Sequence, residues 1–295
     1  MEEYNCAICP RSCRAYRTQA GNNGGYCGMP AQPVVARAAL HFGEEPCISG
    51  TRGSGTVFFT GCSLRCRFCQ NDSISRGNVG KPVTVARLAE IFHELETAGA
   101  HNINLVNPTH FAIEIRKALE IYKPSIPVLY NSSGYERVET LRSLDGLIDI
   151  YLPDCKYVHE ELSADLSGAA DYFHYAQMAI PEMIRQTGPV ILDDDNMMKK
   201  GTMVRHLVLP GHTKESMAVL DWLSRYKETV WVSLMFQYTP MGDIADRKEL
   251  QRRLTRRECE KVWAYMDALG ICNGYVQSLE SSGAEMIPQF DLTGV

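Results

Sequence analysis

Thr56-Val57-Phe58-Phe59-Thr60-Gly61-Cys62-Ser63-Leu64-Arg65-Cys66-Arg67-Phe68-Cys69-Gln70-Asn71 sets an apolar run directly before three thiols. Residues 56–60 read as a buried strand, because β-branched and aromatic side chains fill a short run bounded by glycine. Beyond the loop, Thr84 is placed to cap a helix whose Leu88, Ile91, Phe92 and Leu95 share one face. The order is therefore strand, ligand loop, helix. It repeats: strands are expected over 101–106, 126–130, 147–152, 204–209, 230–236 and 275–276, with helical patterns in most gaps. One late helix carries Cys259, Val262, Trp263 and Met266 on one side. Alternating strands and helices imply a parallel sheet or barrel with its functional groups at the carboxyl ends of strands. The number of units falls short of eight, so the class is α/β and the architecture a partial (β/α)6 barrel over 51–295. Residues 1–50, rich in Cys, Gly and Pro and without a sustained period, form a small Cys-rich amino-terminal lobe that needs a metal staple.

The chain has 295 residues, 45% of them hydrophobic, and a net charge of -5. No block of like charge interrupts it, which argues against disorder and against general nucleic-acid affinity. The start, Met1-Glu2-Glu3-Tyr4-Asn5-Cys6, lacks a basic and an apolar leader segment, and no stretch reaches the roughly 18 apolar residues of a membrane span. A cytoplasmic protein with no membrane partner is expected. Eleven cysteines, eight of them before residue 70, are too clustered and too odd in number for a disulfide scaffold. In a reducing compartment such thiols read as ligands for soft metals.

Cys62, Cys66 and Cys69 supply three thiolates within eight residues. A closed zinc site or closed cubane takes four protein ligands, whereas a cubane on three exposes one iron to a small molecule. The C-x3-C-x2-C spacing, with Phe68 directly before the third Cys, resembles the signature of the radical S-adenosylmethionine (SAM) superfamily. The resemblance implies a partial barrel of radical SAM type and a [4Fe-4S] cluster on Cys62, Cys66 and Cys69. It further implies SAM chelated at the open iron and cleaved by one electron, giving methionine and a 5'-deoxyadenosyl radical that abstracts hydrogen.

Further stretches resemble an uncharacterised branch related to pyruvate formate-lyase activating enzyme. They are Cys9-Pro10-Arg11-Ser12-Cys13, Gly25-Tyr26-Cys27-Gly28, Glu44-Glu45-Pro46, Asn107-Pro108-Thr109-His110, Tyr130-Asn131-Ser132-Ser133-Gly134-Tyr135, Asp154-Cys155-Lys156 and Arg205-His206-Leu207. The resemblance implies that Asp154 and Lys156 hold SAM, with Lys156 on its carboxylate, and that Asn131 lies near the adenosine. A solvated Asp154–Lys156 ion pair is the alternative. Arg205 and His206 are adjacent on one strand, so only one of them can face the interior. Two positions depart from the pattern. Asn107-Pro108-Thr109-His110 stands where activating enzymes have a Gly-Gly-Glu turn, leaving Asn107 or His110 for the SAM amino group. Gln237 replaces a His, a neutral amide for a titrating imidazole.

Cys6, Cys9, Cys13 and Cys27 form C-x2-C-x3-C-x13-C, a four-thiolate set for iron, an iron-sulfur cluster or zinc. Cys47, Cys155, Cys259 and Cys272 are scattered and read mainly as small core residues. The Asp193-Asp194-Asp195-Asn196 run lacks the alternating spacing of a calcium loop and reads as a solvated turn. Arg252, Arg253, Arg256 and Arg257 read as a solvated helix start. The expected function is a radical SAM enzyme acting on a protein or peptide in the manner of a glycyl-radical activator, served by a low-potential donor such as flavodoxin or ferredoxin. A small-metabolite substrate, and a non-enzymatic iron-sulfur carrier or redox sensor, are the alternatives.

Overall fold

The computed structural model describes residues 4–19, 21, 24–77, 79–277 and 288–295. The first three residues, on which the leader reading partly rests, lie outside that set. Two short strands, β1 (Tyr4–Asn5) and β2 (Tyr16–Arg17), pair antiparallel in the amino-terminal lobe. The main sheet begins with β3 (Val34–His41), followed by α1 (Pro46–Ser49), β4 (Ser54–Phe59), α2 (Asp72–Ser75), β5 (Lys81–Pro82), α3 (Val85–Thr97) and β6 (Ile103–Val106). Next come α4 (Ala112–Ile121), β7 (Val128–Ser132), α5 (Val138–Arg142), β8 (Ile150–Pro153), α6 (Glu160–Ser167) and α7 (Tyr172–Thr187). The chain continues with β9 (Ile191–Leu192), β10 (Met198–Leu207), α8 (Thr213–Leu223), β11 (Trp231–Met235), α9 (Arg256–Ala268) and β12 (Gly274–Val276).

Strands β4, β6, β7, β8, β10, β11 and β12 run parallel to their neighbours in that order, while β3 and β5 add antiparallel pairing beyond β4. The sheet is open, its two path ends being β12 and β5. Six strand–helix units followed by one more strand thus give the expected partial barrel. The sheet starts earlier than expected, since β3 lies in the stretch assigned to the lobe.

Local signals account for the elements. All of β4 is buried, as its apolar run requires. Thr84 caps α3 by accepting the Arg87 N–H at 3.0 Å, and Leu88, Ile91, Phe92 and Leu95 are buried on the expected face. On α9, Thr255 and Glu258 form a reciprocal capping box, and Arg252 pairs with Glu258, so the basic stretch is a helix start. Trp263 corrects the reading of that helix. It is 57% exposed, because residues one apart diverge by about 100° on a helix and the buried face belongs to Cys259, Val262 and Met266.

The acidic run forms the tight turn between β9 and β10. Asn196 has φ 61°, and one Asp193 oxygen accepts the Asp195 and Met197 N–H groups at 3.0 and 2.9 Å. The strand pairing shifts between Met198 and Lys200.

Glu136 and Glu114 lie in the core. Glu136 is fully buried, with Thr109 donating at 2.5 Å and Tyr130 at 3.4 Å, and Glu114 on α4 is 1% exposed. Burial pushes each carboxyl from 4.5 up to about 7. Both groups hold a proton more tightly folded than unfolded, so stability is to fall as pH rises from about 4.5 to about 7. Glu136→Gln removes its share of that slope, up to about 3 kcal/mol. Urea unfolding at about pH 5 and about pH 7.5 measures it, and an unchanged slope would refute the assignment.

Candidate active site

The carboxyl ends of the parallel strands surround a cavity of about 280 Å3. Cys62, Cys66, Phe68 and Cys69 reach it from the loop after β4, and Asn107 from the end of β6. Asn131 comes from β7, Asp154 and Lys156 from the end of β8, Arg205 from β10 and Gln237 from beyond β11. The residues nominated around Cys62, Cys66 and Cys69 thus share one chamber. His110 does not. It is buried behind the loop, with Nε2 at 2.7 Å from the Thr60 carbonyl, and burial lowers its pKa to about 3.

The loop bends where its backbone allows. Gly61 has φ 86°, and a Cβ there would stand 2.9 Å from the Cys27 carbonyl oxygen, so glycine is required. Arg65 takes a left-handed φ of 54° between the first two thiols. The Leu64 N–H points at Cys62 Sγ from 3.3 Å, and the Ser167 hydroxyl donates to Cys66 Sγ at 2.9 Å. Hydrogen bonds to ligand sulfurs are a means by which proteins tune iron-sulfur clusters. Burial pushes the Cys69 thiol up to about 12 and raises Cys66 as well, so binding a metal through them would require release of their protons.

Lys156 Nζ donates to Asp154 at 2.5 Å. Burial opposes the ammonium, but Asp154 beside it prevails and holds its pKa above the usual lysine range. The Lys156 N–H also donates to the Tyr172 hydroxyl at 3.0 Å, which fixes the strand end. Alternation along β10 is resolved in favour of Arg205. His206 turns into the core, its Nδ1 at 2.7 Å from the Cys155 carbonyl and its Nε2 at 2.9 Å from Ser216. Cys155, between Asp154 and Lys156, is likewise turned away and buried. Among the other scattered cysteines, Cys47 and Cys259 are buried and Cys272 is exposed.

Arg205 does not enter the cavity as a free cation. Its Nε donates to Glu45 at 2.9 Å, and its Nη2 bonds both Glu44 and Glu45. Glu44 also accepts from Asn104 at 2.8 Å and from Asn131 at 3.3 Å. Burial alone would raise the pKa of Glu45, whose side chain is wholly buried, yet Arg205 holds it low. Asn107 is similarly engaged: it has φ 56°, and its amide donates to the Gly61 carbonyl, steadying the loop. Glu44, Glu45 and Ser167 had no assigned role in the sequence reading. The acid pair before Pro46 was the available signal, since a strand arginine facing a chamber needs a counter-charge.

The residues present fit a cluster and a polar ligand. Among the described residues, no three His, Cys, Asp or Glu side chains close tightly enough for a single metal ion. A cubane binds each thiolate at a different iron, so its ligands stand further apart than those around one ion. Ser133 Oγ and Gln277 Oε1 are buried at the cavity wall with no hydrogen-bond partner among the described residues, as a chamber for a polar molecule would leave them.

A protein of Methanocaldococcus jannaschii, the uncharacterized protein MJ0674, is 31% identical over 268 residues, covering 87% of this chain and 72% of that one. The chain belongs to the family of MJ0674. Residues 49–167 match a 4Fe-4S single cluster domain, a span that contains the loop of Cys62, Cys66 and Cys69. Among solved structures, SuiB of Streptococcus suis bound to S-adenosylmethionine superposes with a TM-score of 0.50 at 13% identity, over 74% of this chain and 48% of that one. The chain spans about half the length of SuiB. Methylornithine synthase (PylB) superposes with a TM-score of 0.50 at 12% identity, over 88% of this chain and 72% of that one. These likenesses are of fold, an open and mostly parallel α/β barrel that this MJ0674 relative shares with both structures. Among the described residues, no helix is long and apolar enough to cross a membrane.

Proposed function

We propose that the chain cleaves SAM reductively and uses the product radical to abstract hydrogen from a protein or peptide, in the manner of a glycyl-radical activator. The observation that carries the reading is the opening of Cys62, Cys66 and Cys69 onto the chamber that also holds Asp154, Lys156 and Asn131. When bound, a [4Fe-4S] cluster supplies the electron that splits SAM into methionine and a 5'-deoxyadenosyl radical.

The chain's own side chains bind and orient. Lys156, kept charged by Asp154, receives the SAM carboxylate, and the unengaged Ser133 hydroxyl is available to SAM. Asn131, placed near the adenosine by resemblance, is steadied by Glu44. Phe68, buried directly before the third thiol, packs against Tyr238 with ring centroids 6.2 Å apart. Gln237 lines the wall as a neutral amide, so it adds no titrating group there. A cytoplasmic flavodoxin or ferredoxin is the electron donor in this reading, and Cys6, Cys9, Cys13 and Cys27 form a second metal site. One observation favours a small metabolite as the substrate instead: Glu44 and Arg205 make part of the wall charged and hydrogen-bonded, a lining suited to a compact polar molecule.

The test is anaerobic. Protein reconstituted with iron and sulfide, reduced with dithionite and given SAM is expected to yield 5'-deoxyadenosine and methionine by chromatography. A reduced cluster that leaves SAM intact would replace the proposal with an electron carrier or redox sensor. Deuterium appearing in 5'-deoxyadenosine from labelled glycyl peptides, rather than from labelled small metabolites, identifies the substrate class.

A further inference from the structure

Four of the cysteines outside the chamber, Cys6, Cys9, Cys13 and Cys27, lie in the amino-terminal lobe. The Cys6 N–H donates to the Ala15 carbonyl at 2.9 Å, the Arg14 N–H to the Cys6 carbonyl at 3.0 Å, and the Ser12 N–H to the Cys9 carbonyl at 3.0 Å. Cys13 sits between Ser12 at φ 42° and Arg14 at φ 51°, two left-handed residues that are not glycine. Such conformations cost energy and persist where the surroundings enforce them. Cys27 precedes Gly28 at φ 76°, which turns the chain back toward the hairpin. Cys6, Cys9 and Cys27 are buried and Cys13 is exposed.

A buried cation reaches this group. Arg17, 1% exposed, directs Nη1 toward Cys6 Sγ at 3.9 Å and also bonds the Pro30 and His110 carbonyls. The described side chains do not close to single-ion distances here either, the arrangement already met at Cys62, Cys66 and Cys69. Each thiolate of a cubane binds a different iron, so four such thiols need not converge on one point.

The lobe is fastened to the back of the loop by residues lying among these cysteines. Arg11, between Cys9 and Cys13, donates to the Ser63 carbonyl at 2.7 Å and to the Ser167 carbonyl at 3.1 Å, and stacks 3.9 Å over the ring of Tyr26. Tyr26, next to Cys27, donates to the Leu64 carbonyl at 3.0 Å. Ser167, gripped by Arg11 through its carbonyl, is the residue whose hydroxyl reaches Cys66. None of the four cysteines lines the chamber.

We propose that Cys6, Cys9, Cys13 and Cys27 bind a second iron-sulfur cluster behind the Cys62–Cys69 loop, which holds that loop in place and does not touch the substrate. The four thiols lose their protons as they ligate iron. The proposal sharpens the second metal site named above, but its evidence and its test are independent of SAM cleavage. The variant Cys62→Ala/Cys66→Ala/Cys69→Ala, reconstituted anaerobically with iron and sulfide, is expected to retain about four irons and about four sulfides per chain. Additional Cys13→Ser replacement is expected to lower both. Zinc in place of iron, a disulfide among the four thiols, or a triple variant free of metal would overturn the proposal. Should the triple variant fail to fold, the otherwise unaltered chain decides, with about eight irons expected and fewer after Cys13→Ser, whose exposed position tolerates the change. Equal iron in those two proteins would also overturn it. Hydrogen exchange at residues 61–69 is expected to quicken in Cys13→Ser, and unchanged exchange would remove the loop-holding role.

Discussion

Cys66→Ser is expected to abolish 5'-deoxyadenosine formation, a loss of at least about a thousand-fold. A hydroxyl is a harder and less readily ionised ligand than a thiol, and iron-sulfur clusters select thiolates. Two remaining loop thiolates leave the proposed cubane under-ligated at the centre of its binding loop. The fold should tolerate the change, since oxygen is smaller than sulfur and the Ser167 hydroxyl, now 2.9 Å from the sulfur, remains a donor beside it. Iron analysis and circular dichroism, alongside the chromatographic assay, separate loss of the cluster from loss of the fold. Retained cleavage would exclude Cys66 as a ligand.

Arg205→Met is expected to destabilise the protein by about 3–5 kcal/mol, the cost of leaving buried charge without its partner. One guanidinium serves two carboxylates, and those of Glu44 and Glu45 are 10% and 0% exposed. Without it, one carboxylate must take a proton or draw water into the wall. Adding Glu45→Gln to Arg205→Met should recover part of the loss, because the amide carries no charge. Urea denaturation measures both effects, and a change below about 1 kcal/mol in the single variant would show that Arg205 belongs to a ligand rather than to the triad.

Much of this arrangement was legible before any coordinates. The strand positions follow from apolar runs, and the convergence of Asn107, Asn131, Asp154, Lys156, Arg205 and Gln237 follows from their places at or beyond strand ends. Two kinds of information were not local. Pairing across the chain, such as Arg205 with Glu44 and Glu45, depends on a sheet that brings together residues about 160 positions apart. The strand β3 was not legible because it is antiparallel to β4 and lies outside the strand–helix rhythm that marks the rest. Trp263 was misplaced because a large apolar side chain was taken for a buried one, although single exposed aromatics are common.

The register of β10 has a consequence for the chamber. Side chains along β10 alternate between the chamber and the core, so a slip of one residue would carry His206 inward and force Arg205 against Ser216. Pairing with β11 from Met203 to Leu207, and with β8 at Gly201 and Thr202, sets where that count begins. The parallel neighbours thereby act as a ruler laid along β10, and a slip against them would be read out as a charge error in the chamber wall.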